Sequence, residues 1–183
     1  TLAFSYNGDL YTLTEGREPV KVEITVYSDQ DERDIERATY SGGATDIAIP
    51  KSQKEIALIL RGDVFVTSAD YRTTKRITNT ASQERDLSFS EDGRTLYYSA
   101  ERDGHWGIWR TSLSNKDDKY FTYATEFKEE LFSDEGETRC QPVVCPDGKY
   151  GTCLRDRTEL VIKPTEGGKA KSLLKDVNYS YSD

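Results

Sequence analysis

The chain has 183 residues, 35% of them hydrophobic and 11% aromatic, which is enough apolar material for a buried core and excludes a disordered polypeptide. Its 33 acidic against 25 basic side chains leave a net charge of -8, the wrong sign for a surface that grips phosphates, and no long basic run gathers what positive charge exists. No segment approaches the roughly 20 apolar residues of a membrane helix, so the expectation is a soluble product with no nucleic-acid partner and no membrane.

From the beginning of the chain, Phe4-Ser5-Tyr6-Asn7-Gly8-Asp9-Leu10-Tyr11-Thr12-Leu13 reads as two short strands joined by an Asn-Gly turn. After the turn cluster Glu15 to Pro19, the stretch Pro19 to Tyr27 alternates with a period of two and predicts a half-exposed strand. Ser28 to Arg37 is a mixed charge run, read as a solvated connection over 28–43. Asp29 and Asp31 lack the glycine and the distant glutamate that a calcium loop requires.

From Gly42 a repeat becomes complete. Strands are predicted over Thr45 to Pro50, Glu55 to Leu60, Val64 to Ser68 and Thr74 to Thr78. The next copy runs through Asp86 to Phe89, Thr95 to Ala100 and Gly107 to Thr111, and Phe89 stands 40 residues beyond Ile49. Asp147 stands 55 residues beyond Asp92, so the second copy carries an insertion, placed in Asn115 to Gly136, with Tyr120 to Glu126 expected as its outer strand. The third copy has Gln141 to Cys145, Tyr150 to Leu154, Glu159 to Lys163 and Ala170 to Leu174. Each copy turns between its first two strands at an equivalent place: Asp92-Gly93 and Asp147-Gly148 tolerate positive φ there, whereas Ser52-Gln53 predicts a looser turn.

Four short antiparallel strands per unit of about 40 residues is the pattern of a β-propeller blade. The expected fold is therefore all-β, with about three to four blades of four antiparallel strands each: 1–27 an incomplete blade, 28–43 the charged connection, 44–79 a blade, 84–136 a blade with an insertion, 137–176 a blade, and 177–183 the start of another. Phe65, Phe89, Ile108, Trp109, Val144 and Val161 are expected between blades. Blades bury their faces only on neighbouring blades, so a fragment of this size is expected to self-associate or to belong to a parent chain that closes the ring.

The residues now in hand resemble the TolB-like propeller region of the Tricorn protease family and its bacterial relatives. The resemblance rests on Asn7-Gly8-Asp9-Leu10-Tyr11-Thr12, Ser41-Gly42-Gly43-Ala44-Thr45, Lys54-Glu55-Ile56-Ala57, Arg61 to Ser68, Thr73 to Thr78 and Tyr98 to Gly104. Ile49-Pro50-Lys51-Ser52, Ser90-Glu91 and Cys145-Pro146 depart from the Ser-Pro-Asp-Gly-Lys blade motif, and Cys153 takes the place of a small residue. The resemblance implies a non-catalytic propeller module that guides or filters peptides toward the separate catalytic domain of a serine peptidase. A stand-alone TolB-like propeller that docks other proteins is the alternative. The resemblance further implies peptides, or other domains of the same parent chain, as partners. It also implies a cytoplasmic setting, with the periplasm as the alternative.

No catalytic, cofactor-binding or metal-binding residue is assigned. A nucleophilic triad needs a histidine beside its serine, and the lone His105 lies in the turn Asp103-Gly104-His105-Trp106-Gly107, where it reads as a hairpin-tip residue. Arg61-Gly62-Asp63 reads as a turn between strands, and Glu129-Glu130 and Asp117-Asp118 as solvated charge. Cys140, Cys145 and Cys153 match no zinc spacing and read as free thiols in strands. Asn178-Tyr179-Ser180 is a glycosylation sequon without a secretory context.

Overall fold

A two-residue hairpin needs positive φ at its centre, and the chain meets this three times with glycine: Gly8 at 87°, Gly62 at 90° and Gly104 at 83°. Each closes the same kind of hairpin, pairing Tyr6 with Asp9, Leu60 with Asp63, and Arg102 with His105. A computed structural model describes residues 1–6, 8–24, 38–70, 72–133 and 137–176. The chain divides into two compact units, Thr1–Tyr40 and Ser41–Asp183.

The first unit is a three-stranded antiparallel sheet of β1 (Leu2–Tyr6), β2 (Asp9–Leu13) and β3 (Val20–Lys21) in that order. The strand expected over Pro19 to Tyr27 is only two residues long, and both are exposed. Its last three positions, the charged run Ser28 to Arg37 and the segment 177–183 lie outside the described residues.

The second unit holds three four-stranded antiparallel sheets. The first contains β4 (Ala44–Ala48), β5 (Glu55–Leu60), β6 (Asp63–Ser68) and β7 (Thr74–Arg76). The second contains β8 (Glu84–Phe89), β9 (Thr95–Arg102), β10 (His105–Leu113) and β11 (Phe127–Ser133), and the third contains β12 (Arg139–Val144), β13 (Tyr150–Arg155), β14 (Glu159–Pro164) and β15 (Lys171–Leu174). In every sheet the strands lie in sequence order. Each first strand carries an irregularity at the same place: the register shifts between Ala44 and Asp46, between Arg85 and Ser88, and between Cys140 and Val143.

Packing follows from the two faces of each sheet. Ala57, Ile59, Val64 and Val66 of the first sheet share one buried cluster with Leu96, Tyr98, Ala100 and Leu113 of the second. The opposite face of the second sheet presents Tyr97, Ile108 and Phe132 to Cys153 and Val161 of the third. The middle sheet thus has a covered face on each side, and β9 is buried without a break from Leu96 to Ala100, whereas β5 alternates buried and half-buried residues. Ile108 and Val161 are buried as the periodicity predicts, while Phe89, Trp109 and Val144 are partly buried against the clusters. Phe65 is half-buried, because Val64 and Val66 on either side of it turn toward the second sheet and parity sends Phe65 to the other face.

Two expectations are corrected. The turn at Pro50 is the same turn as its counterparts: Gln53 adopts a φ of 54°, and its N–H donates to the Pro50 carbonyl at 2.9 Å, as Gly93 donates to Ser90 at 2.9 Å and Gly148 to Cys145 at 2.8 Å. What it lacks is one bond, since Ser90 and Cys145 each close the loop by donating N–H to Thr95 and Tyr150, and proline has no N–H. The outer strand of the second sheet is Phe127–Ser133 and not Tyr120 to Glu126. Tyr120 to Ala124 folds into a turn whose Phe121 and Ala124 are fully buried in the first cluster. Phe121 meets Phe127 in a stack at 5.6 Å and Phe89 edge-on at 6.1 Å.

Glu55 holds this turn in place. Its carboxylate, 1% exposed, accepts the Phe121 N–H at 3.2 Å, the Thr122 N–H at 2.8 Å and the Thr122 hydroxyl at 2.8 Å. Lys75, also of the first sheet, donates to the Ala124 carbonyl and lies 5.0 Å above the Phe127 ring. The Glu55→Gln substitution replaces an acceptor with an NH2 that faces N–H donors, so urea unfolding should show a loss of about 1–3 kcal/mol. Phe121→Ala should cost about 3–5 kcal/mol, and midpoints unchanged from the parent in both variants would show that the turn is not anchored this way.

Candidate functional site

The three equivalent turns stand at the ends of the first strands, β4, β8 and β12. In each, the third residue of the turn caps the chain beyond it: Ser52 Oγ accepts the Lys54 N–H at 3.4 Å, Asp92 Oδ1 the Arg94 N–H at 3.0 Å, and Asp147 Oδ1 the Lys149 N–H at 3.0 Å. The residue that follows every turn is basic. Lys54 pairs with Asp70 at 3.0 Å, and the Arg94 guanidinium donates to the carbonyls of Asp118 and Asn115, tying the insertion to the second turn.

Between these ends lies a groove of about 310 Å³, formed by Ile47 to Lys51, Leu87 to Glu91, Val144 and Pro146. Segments of all three first strands, or the turns that follow them, contribute to it. Ile47 and Ile49 are both 59% exposed. An ion pair of Lys51 with Glu91 bridges two of the turns, and the Glu91 carboxylate holds the Lys51 ammonium above its ordinary pKa. The groove thus exposes a mainly polar surface, with Ser88, Ser90 and the Lys51–Glu91 ion pair beside aliphatic and aromatic side chains. A second cleft, of about 240 Å³, is bounded by Ser52, Glu55, Asp92, Gly93, Arg94, Lys119 and Tyr120, and its Glu55 is already committed to the Phe121–Thr122 turn.

The first strands are also joined to one another. Asp46 Oδ2 accepts the Leu87 N–H at 2.7 Å, and Asp86, at a φ of 59°, accepts the Gln141 N–H at 3.1 Å and the Ser99 hydroxyl at 2.7 Å. Asp46 and Asp86 are 40 residues apart, so the same repeat position supplies the carboxylate each time. Sequence reasoning missed this pair; the signal available was an aspartate in a strand that otherwise alternates apolar and small residues. Buried charge elsewhere is likewise paired: Glu84, which burial pushes above the usual carboxylate range, receives Arg102 at 3.0 Å and the Thr80 hydroxyl at 3.0 Å.

Residues weighed for chemistry fall in structural places. His105 opens β10 directly after the hairpin turn Asp103-Gly104 and pairs with Arg102 in the ladder. The neighbouring Trp106 lies beneath the Arg85 guanidinium at 3.4 Å. Arg61-Gly62 is the hairpin turn, and Asp63, 9% exposed, accepts Arg76 at 2.6 Å. The three cysteines are free thiols. Burial pushes the Cys153 thiol up to about 11, and burial also raises that of Cys140.

Among solved structures, the chain is similar to a putative TolB from Agrobacterium tumefaciens, at 16% identity and a TM-score of 0.56, over 94% of this chain and 57% of that one. It is similar to the tricorn protease at 16% identity and a TM-score of 0.51, over 94% of this chain and 15% of that one. It is also similar to the β-propeller domain of Cps50 (Swd1) from Myceliophteria thermophila, at 18% identity and a TM-score of 0.53, over 90% of this chain and 52% of that one. No family model and no curated protein matches the chain. The chain spans less than two thirds of the length of each of these structures. The likeness establishes the fold: an all-β chain of β-propeller blades.

Thiol chemistry gives a direct check on the packing between the second and third sheets. With a pKa of about 11 and 3% exposure, Cys153 is about one part in a thousand thiolate at pH 8, so a thiol reagent should label it last and mainly on unfolding. Labelling of Cys153 ahead of the other two in the native protein would contradict the burial described.

Proposed function

We propose that the chain is a non-catalytic binding module that receives extended peptide segments in the groove between the ends of β4, β8 and β12. The observation that carries this reading is the groove itself, where Ile47 and Ile49 stand exposed beside Leu87, Phe89 and Val144, with a single charged bridge at the rim. Such a lining, with aliphatic side chains beside polar backbone and side-chain groups, suits an extended backbone that brings both main-chain hydrogen-bonding groups and apolar side chains. In this proposal the module guides or filters peptides for a catalytic domain of a Tricorn-like serine peptidase. Support for that finer step is the resemblance of the blade residues and the likeness in fold to one stretch of the tricorn protease. The likeness to a putative TolB favours a second reading, a stand-alone interaction propeller that docks other proteins.

The two readings differ in what they bind. Fluorescence titration against a library of short unstructured peptides should give saturable binding of apolar-rich members. The double substitution Ile47→Ser and Ile49→Ser, at exposed positions that do not build the core, should weaken it at least about tenfold. The module should cleave none of the peptides it binds. Failure of any peptide to saturate, or indifference of binding to the double substitution, would remove the peptide reading; cleavage abolished by His105→Ala would overturn the non-catalytic one.

A further inference from the structure

Lys51 and Glu91 are 40 residues apart and occupy the same place in two successive copies of the repeat, the second position of the turn after the first strand, where the third copy has Pro146. Among the described residues that line the groove they are the two that carry charge, and their ion pair joins one turn to the other at the rim. The turns themselves abut, so closely that a side chain in place of Gly93 would set its Cβ 3.3 Å from that of Pro50.

The two halves of this pair are held unequally. Beside Glu91, Ser90 ties its turn twice: its N–H donates to the Thr95 carbonyl at 2.8 Å, and its hydroxyl oxygen accepts the Thr95 N–H at 2.9 Å. Beside Lys51 stands Pro50, which has neither an N–H nor a hydroxyl, so the turn of Lys51 lacks both bonds. The Lys51 side chain is 76% exposed and that of Glu91 43%. The ammonium therefore reaches the rim on a flexible, solvated stem from the less tied turn, while the carboxylate is more than half covered and stands on the fully closed one. An ion pair whose ends both reach water contributes little to stability, so Lys51 can leave at small cost. The half-covered carboxylate it leaves behind favours another cation in the same place.

We infer that Glu91 is the charge-reading residue of the groove, and that Lys51 occupies the place of a basic side chain of the bound segment, which displaces it. This rests on the peptide reading of the groove and adds the class of segment to it: apolar residues interrupted by a lysine or an arginine. A segment laid along the groove covers the carboxylate from water, so the exchanged pair is less screened than the resident one. The net charge of -8 acts in the same direction, because it draws basic segments toward the chain and repels acidic ones. An acidic side chain aimed at Lys51 would meet Glu91 beside it.

The test titrates the full chain with end-capped heptapeptides of alternating isoleucine and serine, in which each position in turn is replaced by lysine, glutamine or glutamate. The expected result is one position where lysine binds at least about threefold more tightly than glutamine and glutamate more weakly, a difference that shrinks as salt is added. Glu91→Gln should erase the difference between lysine and glutamine, and Lys51→Gln, which removes the resident competitor, should enlarge it. The double variant Lys51→Glu with Glu91→Lys keeps an ion pair at the rim and should turn the preference toward glutamate. Saturable binding that depends on Ile47 and Ile49 but favours lysine nowhere, or favours it equally in Glu91→Gln, overturns this inference and leaves the peptide reading standing. A preference for glutamate in the parent that is lost in Lys51→Gln would give the charge reading to Lys51 and overturn it equally. Saturation by none of the peptides overturns both.

Discussion

A four-stranded sheet with apolar residues on both faces cannot be satisfied alone, and this constraint governs the second unit. Where two sheets meet, each buries the facing surface of the other: aliphatic residues of β5 and β6 against β9 and β10, then Tyr97, Ile108 and Phe132 against β13 and β14. Stability of such an array is approximately a sum over sheets and their nearest-neighbour contacts. The insertion after β10 reinforces the first of these joints. Phe121 enters the cluster between the first two sheets, and a buried carboxylate from the first sheet satisfies the backbone that brings it there.

The polar joints act differently from the apolar ones. Apolar contact makes the sheets adhere but does not set their angular relation, since hydrophobic attraction has no direction. The bonds from Asp46 to the Leu87 N–H and from Asp86 to the Gln141 N–H do have direction, and they fall on the first strands, where the register irregularities leave backbone donors off the ladder. Because these joints place the ends of β4, β8 and β12 together, they also shape the groove proposed to bind peptide. The groove and the blade spacing are two consequences of one repeated position.

Much of the fold was legible because its signals are local. Asn7-Gly8, Arg61-Gly62 and Asp103-Gly104 between alternating residues announce hairpins, and the 40-residue step between Phe89 and Ile49 announces repetition. The outer strand of the second sheet was misplaced because Tyr120 to Glu126 has strand-like composition, and the distant Glu55 and Lys75 hold it as a turn. Gln53 hid an ordinary turn because its left-handed backbone is one that glycine, and not glutamine, advertises. The groove was not legible at all: it arises where three segments some 40 and 55 residues apart converge, and no single stretch carries it.

The central claim, that each sheet is held by its neighbour, is tested most directly by native-state hydrogen exchange on the Ile59→Ala variant. Ile59 is 1% exposed and belongs to the cluster shared by the first two sheets. Its truncation should lower the protection of the β9 amides in the second sheet along with that of β5, by free energies of the same order, about 2–5 kcal/mol. Protection of β9 unchanged while β5 alone is weakened would mean that the sheets are stable independently, and would contradict the account.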